Sequence, residues 1–177
     1  AIAAPSTIHH PPSTIHMITL RKLEPTDIPF LYQWENDALS WPNSDNHNPL
    51  SQQDLRAYIE STTGDIYRDG QLRMVICQEG AAIGCIDLYD LDARNRKAGV
   101  GIYIAPAFRK QGAAGEALKQ IEDYAFDFLH LRQVYAFTAV KNTDAVHLFE
   151  KAGYLPSARL TAWTLESDAI LWQKVRL

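Results

Sequence analysis

The stretch Gly101-Ile102-Tyr103-Ile104-Ala105-Pro106-Ala107-Phe108-Arg109-Lys110-Gln111-Gly112-Ala113-Ala114-Gly115 reads as a strand, a proline-containing loop and a helix start, with small residues gathered at the turn. Where no side chains intervene, successive N–H groups at a helix N-terminus can converge on a phosphate, and the helix dipole favours its negative charge. Arg109 and Lys110 add positive charge beside the same turn. Local physics leaves two readings open: a seat for a pyrophosphate, or the start of a tightly packed helix. The loop lacks the Gly-Lys-Ser/Thr ending of a nucleoside triphosphate P-loop, and the strand before it does not open a GxGxxG dinucleotide fold.

Arg109-Lys110-Gln111-Gly112-Ala113-Ala114 resembles the R-x-x-G-x-G/A signature of the GNAT acetyltransferases, and Gly115-Glu116-Ala117-Leu118 continues as in many members. Downstream, Asn142-Thr143-Asp144-Ala145-Val146-His147-Leu148-Phe149-Glu150-Lys151-Ala152-Gly153-Tyr154 resembles the family's second signature, N-x-x-A-x-x-L-Y-E-K-x-G-F. The resemblance implies an acetyl-coenzyme A-dependent N-acetyltransferase, with acetyl-CoA as cosubstrate and no metal. It implies that the backbone at Ile102, Tyr103 and Ile104 pairs with the pantetheine arm. Arg109, Lys110, Gln111, Gly112, Ala113, Ala114 and Gly115 would hold the pyrophosphate, and Asn142 and Phe149 would lie near the thioester end. Asn142 also suits the N-cap of the following helix, and the two roles are compatible.

In such enzymes the amine attacks the thioester directly in a ternary complex. An alkyl ammonium has a pKa of about 10.4, so a carboxylate, acting directly or through water, would help remove the proton. Asp87, Glu35 and Asp90 are candidates; Asp87 and Tyr89 alternate onto one strand face and Asp90 onto the other. Asp87 equally suits an edge carboxylate bonded to a neighbour, and Glu35 a solvated helix face. Trp34 and Trp41 are either core residues or an aromatic wall that, with Glu35, Asp87 and Tyr89, would bind a cationic amine. Phe149 stands where the family often has Tyr, so its ring cannot donate a proton to the departing thiolate; Tyr154, Tyr103 or water would serve instead. Leu91 to Lys97, Asp123-Tyr124-Ala125-Phe126 and Leu129-His130-Leu131 look similar to spermidine/spermine acetyltransferases, and also to the branch that acetylates ribosomal-protein N-termini. The acceptor is thus a small-molecule amine, a polyamine first, or a peptide N-terminus; a non-catalytic coenzyme A-binding module is the reading from a different class.

The elements that must position these groups follow from periodicity. Ile18 to Arg21 reads as a strand, Pro25 to Asn36 and Gln52 to Ile59 as helices, and Asn43 to Pro49 as a polar turn. Leu72 to Gln78 and Ala82 to Leu91 flank Glu79-Gly80, an antiparallel hairpin signal, and Lys97 to Ile104 follows as a strand. From Gly112 to Leu129, Ala114, Ala117, Leu118, Ile121, Ala125 and Phe128 recur at helical spacing. A strand at Val134 to Val140, a helix from Asp144 to Lys151 ending at Gly153, and strands near Leu155 to Thr164 and Ala169 to Val175 complete the pattern. The expected class is α/β (α+β), a mixed and mostly antiparallel twisted sheet flanked by helices.

At 177 residues one domain is expected, over residues 17–177. Residues 1–16 carry the repeated Pro-Ser-Thr-Ile-His and read as a disordered leader or an appended extension. The formal net charge of −4 and the absence of an apolar run long enough to span a bilayer point to neither nucleic acid nor membrane as partner, and a cytoplasmic protein is expected. Cys77 and Cys85 lie in apolar stretches without the His partners of a zinc site, so buried reduced thiols are expected. A homo-oligomer is a family-based expectation.

Overall fold

The apolar runs on either side of Glu79-Gly80 pair as antiparallel strands β2 (Leu72–Gln78) and β3 (Ala81–Asp92). Both turn residues take positive φ, 51° and 86°, as in the type I′ turns whose twist matches that of the flanking strands. β1 (Ile18–Lys22) flanks β2, and β4 (Lys97–Ile104) flanks β3, both antiparallel. β5 (Gln133–Ala139), β6 (Leu155–Leu160) and β7 (Ala169–Val175) complete a seven-stranded sheet in the order β1-β2-β3-β4-β5-β7-β6. Only the β4–β5 pairing is parallel. This computed structural model describes residues 16–41 and 47–177. The expected leader therefore lies outside the described residues apart from His16, and so does most of the expected turn at Asn43 to Pro49.

Helices cover both faces. α1 (Ile28–Glu35), entered through a helical turn at Pro25–Asp27, and α2 (Gln52–Ser61) pack Ile28, Leu31 and Leu55 against Cys85 of β3. Ser51 caps α2 through a reciprocal pair of bonds with Asp54. A short helix without apolar periodicity, α3 (Ile66–Asp69), was not expected; Asp65 caps it and Gly70 ends it in the left-handed region. On the opposite face α4 (Ala113–Asp123) and α5 (Thr143–Lys151) close the main core with Ile76, Ile83, Ile86, Leu88, Val134 and Trp172. α4 buries Ala117, Leu118 and Ile121 completely. Burial of each large aliphatic side chain is worth about 1.5–3 kcal/mol, which outweighs the cost of about 0.5–1 kcal/mol for Gly115 inside the helix.

The single helix expected from Gly112 to Leu129 is interrupted. Tyr124–Phe128 forms a wider π-helical turn, in which the Leu129 amide donates to the Tyr124 carbonyl at 3.0 Å. The extra residue in the turn shifts the phase of the apolar stripe. Phe126 is buried, while Phe128 is 71% exposed and stacks on Tyr124. Cys77 and Cys85 are both buried free thiols, and burial pushes the Cys85 pKa up to about 12.

Candidate active site

β4 and β5 separate where the candidate residues gather. They pair only at Lys97, Ala98 and Gly99 with Gln133, Val134 and Tyr135, although both strands run on, and from Val100 to Ile104 β4 is paired on its β3 side alone. The backbone donor and acceptor of Ile102 and the amide of Ile104 therefore face a gap between two strands of one sheet. Ile102, Tyr103 and Ile104 belong to this edge, where an extended chain with amide groups could add as a strand.

The loop beyond β4 turns the chain into α4. Lys110 (φ 61°) and Gly112 (φ 87°) both take left-handed backbone, and among the described residues no side chain caps α4. The amides of its first turn, Ala113, Ala114 and Gly115, consequently have no intrahelical acceptor. Among the described residues a Cβ on Gly112 or Gly115 would meet nothing within 4 Å, so neither glycine is demanded by packing and the space beside both is open. Lys110 is largely exposed, 3.9 Å from Asp144, and the Gln111 side chain donates back to the Ala107 carbonyl at 3.2 Å. Arg109 is more committed than its motif suggests: its Nε donates to the Ile104 carbonyl at 2.7 Å and its guanidinium lies 5.5 Å from the Tyr103 ring centre. It thereby fastens the loop to the end of β4. These uncapped amides, the open space and the flanking cations fit a pyrophosphate.

Asn142 ends the loop after β5, and its side-chain oxygen accepts from the Ala145 amide at 3.2 Å, capping α5. Phe149, expected near the thioester end, is 3% exposed and lies edge-on to Tyr154 at 5.0 Å and stacked with Trp172 at 6.5 Å. It is a core residue of α5.

Across the sheet, on the α1–α2 face, three charged side chains interlock. Arg73 of β2 donates from Nε to Asp87 Oδ1 at 2.8 Å, from Nη2 to Asp87 Oδ2 at 3.0 Å, and from Nη1 to Glu35 Oε1 at 2.6 Å. Its guanidinium lies 5.7 Å from the Tyr58 ring centre. The two carboxylates hold the Arg73 pKa well above its ordinary value against the opposing effect of burial, and burial raises that of Tyr58. The sequence suggested Asp87 and Glu35 but not Arg73 or Tyr58; Arg73 is the single charge in β2, and that isolation was the available signal.

Aromatic groups border this cluster. Trp34 contacts Tyr103 at 5.8 Å and stacks with Phe30 at 5.7 Å, and the Trp41 indole donates to the Glu35 carbonyl at 2.9 Å. Burial, with Asp37 nearby, raises the Tyr103 pKa. The Tyr89 ring lies over Gly99, where a Cβ would come within 2.4 Å of it. From Tyr89 an edge-on series runs to Tyr135 at 6.2 Å and Phe137 at 5.8 Å, and Trp163 stacks on Phe137 at 6.2 Å.

Two expected placements need correction. Asp90 does not simply alternate to the opposite face: its φ is 48°, and the β3–β4 register shifts between Tyr89 and Asp92, so a bulge re-aims it. Its carboxylate, after burial, helps to raise the Tyr135 pKa. Tyr154 is not brought together with Asp87 and Glu35. It is 2% exposed, in a core cluster with Glu122 of α4 and Lys174 of β7, where Lys174 Nζ donates to Glu122 Oε2 at 2.5 Å and to the Ala152 carbonyl at 2.9 Å. Burial, then Glu122, pushes its pKa above the ordinary range, which disfavours loss of the proton.

Known proteins of similar sequence and fold give the family. The spermidine N(1)-acetyltransferase of Vibrio cholerae is 28% identical over 150 residues, covering 81% of this chain and 82% of that protein. YdaF of Bacillus subtilis, provisionally named a ribosomal N-acetyltransferase, is 30% identical over 147 residues, covering 80% of each. A crystal structure of the Vibrio cholerae enzyme in complex with CoA and spermine superposes with a TM-score of 0.81 at 25% identity, covering 89% of this chain and 95% of that one. The same enzyme has also been solved as a dodecamer, with a TM-score of 0.75 at 27% identity, covering 89% of this chain and 93% of that one. Residues 17–155 match the family model described as the acetyltransferase (GNAT) domain, and with the mostly antiparallel sheet, the parted β4 and β5 and the uncapped α4 in place, the chain belongs to the GNAT acetyltransferase family.

Proposed function

We propose that this protein transfers the acetyl group of acetyl-CoA to a primary amine of a cationic small molecule, spermidine being the first candidate, by direct attack in a ternary complex. The observation that carries the reading is the gap between β4 and β5, with the uncapped start of α4 at the end of β4 and the Asp87–Arg73–Glu35 cluster on the α1–α2 face. The relatives that act on spermidine, and the neighbour solved with CoA and spermine, support the same acceptor class.

Ile102 and Ile104 would hold the pantetheine arm through backbone bonds, and the first-turn amides of α4, with Lys110, would hold the pyrophosphate. The cosubstrate supplies an acyl carbon activated as a thioester. Asp87 would accept the proton of the attacking amine: Arg73 occupies one direction at each of its oxygens, and a carboxylate offers about four lone-pair sites. Trp34 and Tyr103 would give the acceptor an aromatic border. A homo-oligomer is part of this reading, supported by the dodecameric neighbour, and a cytoplasmic setting suits two free buried thiols.

A peptide N-terminus is the second reading, favoured by the partly exposed Phe137 and Trp163 beside the aromatic series and by the likeness to YdaF. The deciding measurement is acetyl-CoA-dependent thiol release with spermidine and with N-terminal peptides in parallel, locating the new acetyl group by mass spectrometry. Acetylated spermidine bears the proposal out, acetylated peptide moves the assignment to the second reading, and no product with any amine leaves a coenzyme-binding module. Asp87→Asn is expected to lower kcat by about 10²-fold or more, the usual size of a general-base contribution, while coenzyme binding stays intact; full activity in that variant removes Asp87 from the proton path.

A further inference from the structure

Arg73 is unusual for a site that is to receive a cation. An acceptor ammonium would be drawn to Asp87 and Glu35, yet a built-in guanidinium already binds both, through three separate nitrogens. The cluster is not sealed: about a quarter of the Arg73 and Asp87 side chains and a fifth of that of Glu35 remain exposed. Tyr58 supports the guanidinium by a cation–π contact. A clamp between α1 and the sheet needs no charge, since a well-packed apolar pair commonly serves as well as or better than an ion pair. What this triad has that an apolar pair lacks is a defined net charge: two carboxylates and one guanidinium leave −1.

We propose that Arg73 is a specificity-determining residue: by offsetting one of the two carboxylate charges, it sets the cluster to accept an acceptor with one positive charge beside the reacting amine and to disfavour more highly charged ones. This rests on the reading of Asp87 and Glu35 as groups that face the acceptor. An acceptor with two ammonium groups near the cluster satisfies one charge and meets the Arg73 guanidinium with the other. A unit charge in such a largely buried but solvent-reached cluster is worth about tenfold in binding after solvent screening.

The test compares kcat/KM for spermine and for the diamine putrescine at saturating acetyl-CoA, using the full chain. Arg73→Met is expected to raise the spermine-to-putrescine ratio about tenfold. Arg73→Lys, which keeps the charge and loses the bidentate geometry, is expected to lower both rates while leaving the ratio within about twofold of the starting protein. A ratio unmoved in Arg73→Met, or moved equally in Arg73→Lys, overturns the proposal and leaves Arg73 as a clamp. Should Arg73→Met fail to fold, Glu35→Gln reports on the same charge: the cluster becomes neutral and the ratio should fall about tenfold, and no change is again an overturning result. If the starting protein acetylates neither these two amines nor spermidine, the proposed reaction is at fault, not the charge offset. Calorimetric titration with spermine then decides: tighter binding to Arg73→Met supports the offset, and equal binding rejects it.

Discussion

Gly84 of β3 and Tyr103 of β4 meet backbone to backbone: an ideal Cβ on Gly84 would stand 2.1 Å from the Tyr103 carbonyl oxygen. The contact lies one step before the Ala105 amide, which donates to the Ile83 carbonyl at 2.8 Å. No flexible side chain can yield there, so any larger residue must push the two strands apart at the end of β4 that borders the gap. Gly84→Ala is therefore expected to lose about 1–3 kcal/mol, a fall in Tm of about 2–4 °C for each kcal/mol at this chain length. The KM for acetyl-CoA should rise with it. An unchanged melting curve would show that the strands yield without cost.

Gly112 separates backbone strain from ligand contact. With φ at 87° and open space ahead of it, Gly112→Ala should cost about 1–2 kcal/mol of stability from the left-handed backbone alone. Its methyl would enter the space in front of the α4 amides, so CoA affinity measured by calorimetry should fall by at least about tenfold. Unchanged affinity in a folded variant would move the pyrophosphate elsewhere.

Asp27 ties the first strand to the first helix. It is 3% exposed, accepts from Arg21 Nη1 and Nη2 at 2.8 and 2.7 Å, and accepts from the Glu24 amide at 2.9 Å. Chiefly the Arg21 bonds hold its pKa below the ordinary 3.8. Its contribution is present above that value and is lost as pH falls below it through the lower folded pKa. Asp27→Asn should cost about 1.5–3 kcal/mol near neutrality, the scale of a hydrogen bond to a charged group, and should flatten the loss of stability below pH 4. Acid titration of both proteins by circular dichroism checks the sign.

Tyr154 makes the opposite pH prediction. Burial raises its pKa above the ordinary 10.0, so the fold favours the neutral phenol; that contribution is full below pH 10 and is lost as pH rises above it. Tyr154→Phe also removes a buried hydroxyl that has no hydrogen-bond partner among the described residues. The variant should be at least as stable at neutral pH and should lose less Tm between pH 9 and 11. Because Tyr154 sits with Glu122 and Lys174 rather than with Asp87, its kcat should stay within about twofold. A kcat collapse at unchanged Tm would return Tyr154 to the reaction.

Local chemistry determined much of this protein in advance. Apolar runs and turn signals placed β4 and β7 at their observed ends, and helix-start residues and helical spacing located α1, α2, α4 and α5, because the period of a buried face and the chemistry of element ends are written in the chain itself. The ordered pair of motifs, one at Arg109 to Gly115 and one at Asn142 to Tyr154, marked the loop into α4 and the family. Those signals are contiguous in sequence, so they survive without the fold.

The partners across the sheet were a different matter. Counted from the Glu79-Gly80 turn without interruption, Asp87 falls opposite Leu72; the structure places it opposite Arg73 because Ile83 is an extra residue in the ladder, between the Cys77–Ala82 and Ile76–Gly84 pairs. One bulge thus turns a lone carboxylate into half of an ion pair. The burial of Phe149 and Tyr154 in the core and the parting of β4 from β5 after Gly99 likewise belong to the tertiary structure. Each is fixed by contacts between segments far apart in the chain, whereas periodicity reports only which face of a segment is buried and not what it is buried against.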